Sequence, residues 1–122
     1  MKLKDNLYTI IEKNSEAFRI ELIRDNVIYR AHFPEQPITP GVCIVQIATE
    51  LLEELLDKSL ELIEIANAKY LSVINPKDTM EVVYNFKKIA IEEESKTIKV
   101  SVVVNNESSI FTKLSLVYRI ND

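Results

Sequence analysis

His32-Phe33-Pro34-Glu35-Gln36-Pro37-Ile38-Thr39-Pro40-Gly41-Val42 holds the chain's only histidine, its only glycine and three of its four prolines. Three prolines in such a short span exclude both a helix and a central strand, because each removes a backbone donor and fixes φ. The stretch is therefore an ordered loop, stiffened by its prolines. It runs directly into a helical pattern from Gly41 to about Asp57, where Ile44, Val45, Ala48, Leu51, Leu52, Leu55 and Leu56 form one wide apolar face. Pro40 suits the start of that helix. The opposite side carries Gln46, Glu50, Glu53, Glu54 and Asp57. An imidazole with a pKa of about 6.5 is the usual proton acceptor near neutral pH. A glycine at a helix start lets the backbone approach a ligand with no Cβ in the way. Chemistry is expected here, with His32 and the Gly41 amide side by side.

Before the loop, residues 7–12 read as a short first element. Phe18, Ile20 and Leu22 alternate with Arg19, Glu21 and Ile23 as a half-buried strand does. Asp25-Asn26 supplies a turn, and Val27–Ala31 reads as a returning strand that delivers His32 to its end. After the helix the apolar period changes to two, in runs of about 61–74, 79–90, 96–105 and 109–120. Asn75-Pro76-Lys77-Asp78, Glu92-Glu93-Glu94-Ser95 and Asn105-Asn106-Glu107-Ser108 separate them. Connections this short join antiparallel neighbours, and strands this long can curve around a helix. The expected architecture is α+β: one domain over 1–122, with a curved antiparallel sheet wrapped around one long central helix.

Composition narrows the function. At 122 residues, 47% hydrophobic and 28% charged, the chain fits one ordinary globular domain, and a core this small leaves apolar surface that a second subunit can cover. A net charge of −4 with no basic run argues against nucleic acid. No apolar run approaches the roughly 20 residues of a membrane span, and the charged N-terminal stretch does not read as a signal peptide, so the expected location is the cytoplasm. One histidine and one cysteine leave no Cys/His zinc site, and one glycine leaves neither a P-loop nor a dinucleotide fingerprint. Neither metal nor cofactor is expected. Cys43, in the apolar helix, reads as a small buried hydrophobe.

His-Phe-Pro-x-x-Pro-x-x-Pro-Gly-Val running into an apolar helix resembles the hotdog-fold 3-hydroxyacyl-[acyl-carrier-protein] dehydratases, and the order of strands agrees over nearly the whole chain. The resemblance implies that His32 takes a proton from C2 of a 3-hydroxyacyl thioester. It also implies that the amides of Gly41 and Val42 polarise the thioester carbonyl, with Phe33, Pro40 and Val42 contacting substrate. Helix N-termini offer unpaired N–H groups and positive potential where enolate charge develops, so the physics agrees. The resemblance further implies a homodimer whose sites combine two chains, and an acyl carrier protein as the thioester's bearer. For that carrier Lys87, Lys88, Lys96, Lys99, Lys113 and Arg119 are loose docking candidates.

The chain departs from that family at the acid. Fourteen residues after the histidine the family has Glu or Asp to protonate the leaving hydroxyl, and here stands Gln46. Gln has no proton to give, although it can hold a hydroxyl or water. One turn on is Glu50, where the family often has Gln, and residues i and i+4 share a helix face. Glu50 is thus an alternative acid, directly or through water. A milder departure is Pro76-Lys77-Asp78 in place of a Pro-Gly-Asp turn. Tyr29, Tyr70, Tyr84 and Phe86 read as core, and Phe33 reads as core or as substrate contact. Three functions stay open: a dehydratase of fatty acid, polyene or lipid synthesis, a non-catalytic hotdog subunit that binds acyl chains or partners an active paralogue, and an acyl thioesterase.

Overall fold

A computed structural model describes residues 2–31 and 37–121. His32 and Phe33 lie outside that set. The described elements are β1 (Tyr8–Lys13), β2 (Ala17–Leu22), α1 (Val27–Ala31), α2 (Gly41–Leu56), β3 (Ser59–Tyr70), β4 (Glu81–Glu92), β5 (Thr97–Asn105) and β6 (Ile110–Asn121). The six strands form one sheet in the order β1-β2-β4-β5-β6-β3, every neighbouring pair antiparallel. This is the hotdog arrangement expected from the sequence.

Period-two patterning sets which strand face meets α2. Val100, Val102 and Val104 of β5 and Leu114, Leu116 and Tyr118 of β6 are buried, Ser101, Val103, Ser115 and Val117 between them are half-buried, and Lys99, Lys113 and Arg119 at the ends of these runs are exposed. Against that face α2 buries Cys43, Ile44, Val45, Ile47, Ala48, Leu51 and Leu52. Tyrosines fix the helix by their polar tips, as buried phenols generally require. Tyr84 donates to the Ile44 carbonyl at 3.0 Å, and the Tyr118 and Thr49 hydroxyls lie 2.9 Å apart. Burial pushes the Tyr118 hydroxyl up to about 12, so it remains protonated and able to bond. Cys43 is a free, buried thiol whose pKa burial also raises.

Two elements differ from the sequence reading. Val27–Ala31 is a short helix and not a returning strand. Asn26 starts it: its side-chain oxygen accepts the Ile28 N–H at 2.8 Å and its carbonyl accepts the Tyr29 N–H at 3.1 Å. A strand there would have no partner beside β2, whose two edges are already held by β1 and β4. Tyr29 is buried, and its hydroxyl, pushed up to about 12 by burial, lies 2.8 Å from that of Thr39 across the loop. The second difference is at β3, which ends at Tyr70 rather than at residue 74. The N–H groups of Leu71 and Ser72 both turn to the Phe111 carbonyl, and the Ile74 carbonyl takes the Thr39 N–H at 2.8 Å. That tie holds the end of β3 against the entry to α2.

Candidate active site

Pro40 precedes α2 with extended backbone (φ −61°, ψ 146°), and its carbonyl accepts the N–H groups of Cys43 and Ile44. No backbone carbonyl among the described residues takes the N–H of Gly41 or Val42. Two donors therefore stand open at the positive end of a 16-residue helix. Gly41 borders a cleft of about 390 Å³, lined by Pro40, Gly41 and Ile44 on the helix side and by Tyr70, Leu71 and Val73 on the strand side. Val42, 69% exposed, turns away to solvent.

The reason for glycine at position 41 is more specific than the sequence suggested. A Cβ there would lie 2.9 Å from both Cζ and Oη of Tyr70. The close approach that glycine permits is made by a side chain of the same molecule. Tyr70, read from the sequence as core, is 52% exposed and lies at the cleft beside Gly41. The run from Tyr70 to Ile74, apolar except at Ser72, hides where the strand ends, so alternation could not separate Tyr70 from the core tyrosines.

Gln46 and Glu50 share a face, as the i, i+4 spacing requires, and the Gln46 amide donates to Glu50 Oε2 at 2.9 Å. That face is not the one at Gly41. At 3.6 residues per turn and 1.5 Å rise, Gln46 is about 140° around the helix from Gly41, and Glu50 is about 180° around and roughly 14 Å along it. Within one chain neither side chain reaches the cleft.

Glu50 has a different role in the geometry from that of an alternative acid. Its Oε2 accepts the Leu3 N–H at 2.7 Å as well as Gln46, and its Oε1 accepts the Lys4 N–H at 2.8 Å and the Tyr8 hydroxyl at 3.0 Å. A carboxylate offers about four acceptor positions, and all are taken by donors of its own chain. A donating acid would need a proton on an oxygen that already faces two others. Burial, followed by the charge of Glu50 and the bond to it, drives the Tyr8 hydroxyl well above its ordinary value, keeping it a donor.

Beside this anchor, Glu54 accepts from Lys4 Nζ and Lys13 Nζ, each at 3.1 Å. Burial alone would raise the Glu54 carboxyl, but the two ammonium groups outweigh it and hold it below 4.5. The stability from these pairs is complete above pH 4.5, declines as pH falls below it, and is gone once pH passes the lowered folded value. Partly exposed pairs contribute about 0–1 kcal/mol. On acidification from pH 6 the urea midpoint of the parent should therefore fall slightly more than that of Glu54→Gln. Parallel curves would show that the pairs contribute nothing.

A family model described as ApeI-like, ApeI dehydratase, matches residues 9–113. The 3-hydroxyacyl-[acyl-carrier-protein] dehydratase FabZ of Thermotoga neapolitana is 33% identical over 114 aligned residues, covering 88% of this chain and 80% of that protein. The dehydratase heterocomplex ApeI:P from Xenorhabdus doucetiae contains a chain that superposes with a TM-score of 0.66 at 17% identity, covering 98% of this chain and 99% of that one. A Haemophilus influenzae thioesterase superposes with a TM-score of 0.64 at 14% identity, covering 97% and 81%. Likeness at those identities is likeness of fold alone. Family match, sequence identity and sheet order agree: this chain belongs to the ApeI-like dehydratase family of hotdog proteins.

Proposed function

We propose that the chain is a dehydratase that removes water from 3-hydroxyacyl thioesters carried by acyl carrier protein, in cytoplasmic fatty acid or related lipid synthesis. The observation that carries this reading is the pair of amides at Gly41 and Val42, open among the described residues at the first turn of α2, with Gly41 on the rim of a largely apolar cleft and both residues within the dehydratase motif of the sequence. In the proposed reaction His32 takes the C2 proton. Enolate charge collects on the thioester oxygen facing the amides, and the C3–O bond then breaks as the hydroxyl takes up the proton that His32 removed from C2, leaving as water and returning the imidazole to its neutral form. Preorganised donors of this kind contribute about 3–4 kcal/mol to such steps.

Two copies are part of the proposal. β3 is an edge strand with exposed Ile63 and Ile65, and Leu71 and Val73 continue that apolar margin to the cleft. Gln46 and Gly41 face different directions on one helix, so a site using both takes them from two chains. A second reading is favoured by the same Gln46: the chain pairs with another hotdog protein that brings the missing acid.

The test is the purified protein alone, its mass measured in solution, assayed with three substrates. A dehydratase interconverts 3-hydroxyacyl and 2-enoyl carrier-protein thioesters and leaves a saturated acyl thioester intact. Release of free thiol from the saturated substrate would replace this reading with hydrolysis. Inactivity alone, with turnover restored by an acid-bearing hotdog chain, would replace it with the second reading. A His32→Asn chain that matches the parent would remove His32 from the mechanism.

A further inference from the structure

The phenol of Tyr70 is unlike the other inward-facing tyrosines. Those of Tyr8, Tyr29, Tyr84 and Tyr118 each have a hydrogen-bond partner. Tyr70 is the last residue of edge strand β3, and it pairs in register with Thr112 of β6. Thr112 is fully buried, so Tyr70 also projects from the helix side of the sheet. Its Cζ and Oη sit 2.9 Å from where a Gly41 Cβ would be, directly against the start of α2. Thr112 adds a second observation: its hydroxyl is buried and has no hydrogen-bond partner among the described residues. Buried hydroxyls are normally paired, and an unpaired one calls for an explanation such as a bound group. Tyr70 and Thr112 thus carry two hydroxyls at paired strand positions, neither with a hydrogen-bond partner among the described residues, and that of Tyr70 lies at the cleft.

Resting on the dehydratase reading, we infer that Tyr70 is a substrate-contacting residue whose hydroxyl donates a hydrogen bond to the thioester carbonyl oxygen beside the amides of Gly41 and Val42. A phenol O–H can donate a hydrogen bond without giving up its proton. The carbonyl oxygen has two lone pairs, so it can take a side-chain O–H and a backbone N–H together. The bond strengthens as the oxygen gains enolate charge, which places its effect on the chemical step rather than on binding. Glycine at 41 then has a defined purpose, since any side chain there would push the phenol off the amides.

The discriminating variant is Tyr70→Phe, which keeps the ring and removes only the donor. Because that hydroxyl has no hydrogen-bond partner among the described residues, the melting temperature should not change. The kcat for 3-hydroxyacyl dehydration should fall at least tenfold while KM stays within about threefold, the signature of an interaction made in the transition state. A second readout does not need turnover: the infrared C=O stretch of a bound saturated acyl-pantetheine thioester should lie at lower frequency in the parent than in Tyr70→Phe. Equal kcat and equal stretch in the two proteins would overturn the assignment. Failure of the parent to dehydrate, with the stretch still shifted by Tyr70, would overturn the dehydratase reading and leave Tyr70 as a carbonyl donor.

Discussion

Gln46→Glu should raise the rate of 3-hydroxyacyl dehydration by about 10²–10⁴-fold, the range that a positioned general acid contributes. In the parent the position that the family uses for its acid carries an amide, which can orient a leaving hydroxyl but cannot protonate it. The new carboxyl would stand one turn from Glu50, where the Gln46 amide now donates at 2.9 Å. Two carboxyls that close do not both ionise, so the pair holds a proton at a higher pH than either would alone. Such a proton suits a general acid but costs stability. The exchange Gln46→Glu with Glu50→Gln should remove the carboxyl–carboxyl repulsion, because Gln at 50 can donate to Glu at 46 while its single oxygen accepts from Lys4 and Tyr8, with loss of the Leu3 N–H bond to Oε2. A stopped assay on 3-hydroxyacyl carrier protein, run at a temperature where all three proteins are folded, checks the order. If neither variant exceeds the parent, position 46 does not face the reacting atoms.

Glu50→Ala should lower stability by about 2–4 kcal/mol, because four donors lose one shared acceptor and an unmet, partly buried donor costs about 1–3 kcal/mol before water restores some of it. Two of those donors are the backbone amides of Leu3 and Lys4, which no side-chain rearrangement can redirect. The consequence is specific as well as large. Hydrogen exchange at Leu3 and Lys4 should lose its protection, and the segment that seats Leu3, Leu7 and Tyr8 in the core should loosen with it. For a domain of this size the melting temperature should fall by roughly 10 °C. Turnover at low temperature should be nearly unchanged, which separates an anchoring role from the acid role that the sequence had left open. Unaltered melting would show that the carboxylate contributes little to holding the N-terminal segment.

Much of the architecture was legible in the residue pattern. Change of apolar period from about 3.6 to two after Leu60, with Asn75-Pro76 and Asn105-Asn106 as turns, sufficed for one long helix and a meander of strands. Pairing partners were the harder part. Val27–Ala31 alternates well enough for a strand, but local bonds from Asn26 and the lack of a vacant edge on β2 made it a helix. At the site, the motif singled out Gly41 and Val42 as candidate donors, and the helical repeat was sufficient to set Gln46 beside Glu50. Tyr70 and the Glu50 anchor were hidden for the same reason. Each depends on contacts between segments far apart in sequence: Tyr70 lies 29 positions from Gly41, and Leu3 lies 47 from Glu50.

By itself, then, the sequence determined what short-range physics controls: the amphipathic helix with its open first amides, the strand periods, and the absence of an acid fourteen residues after the histidine. Tertiary structure alone decided which side chain Gly41 must accommodate, where β3 leaves the sheet, and that Glu50 spends its oxygens on the N-terminal segment. A residue's spacing defines its face on its own element, but its partners depend on how the whole chain closes around the helix.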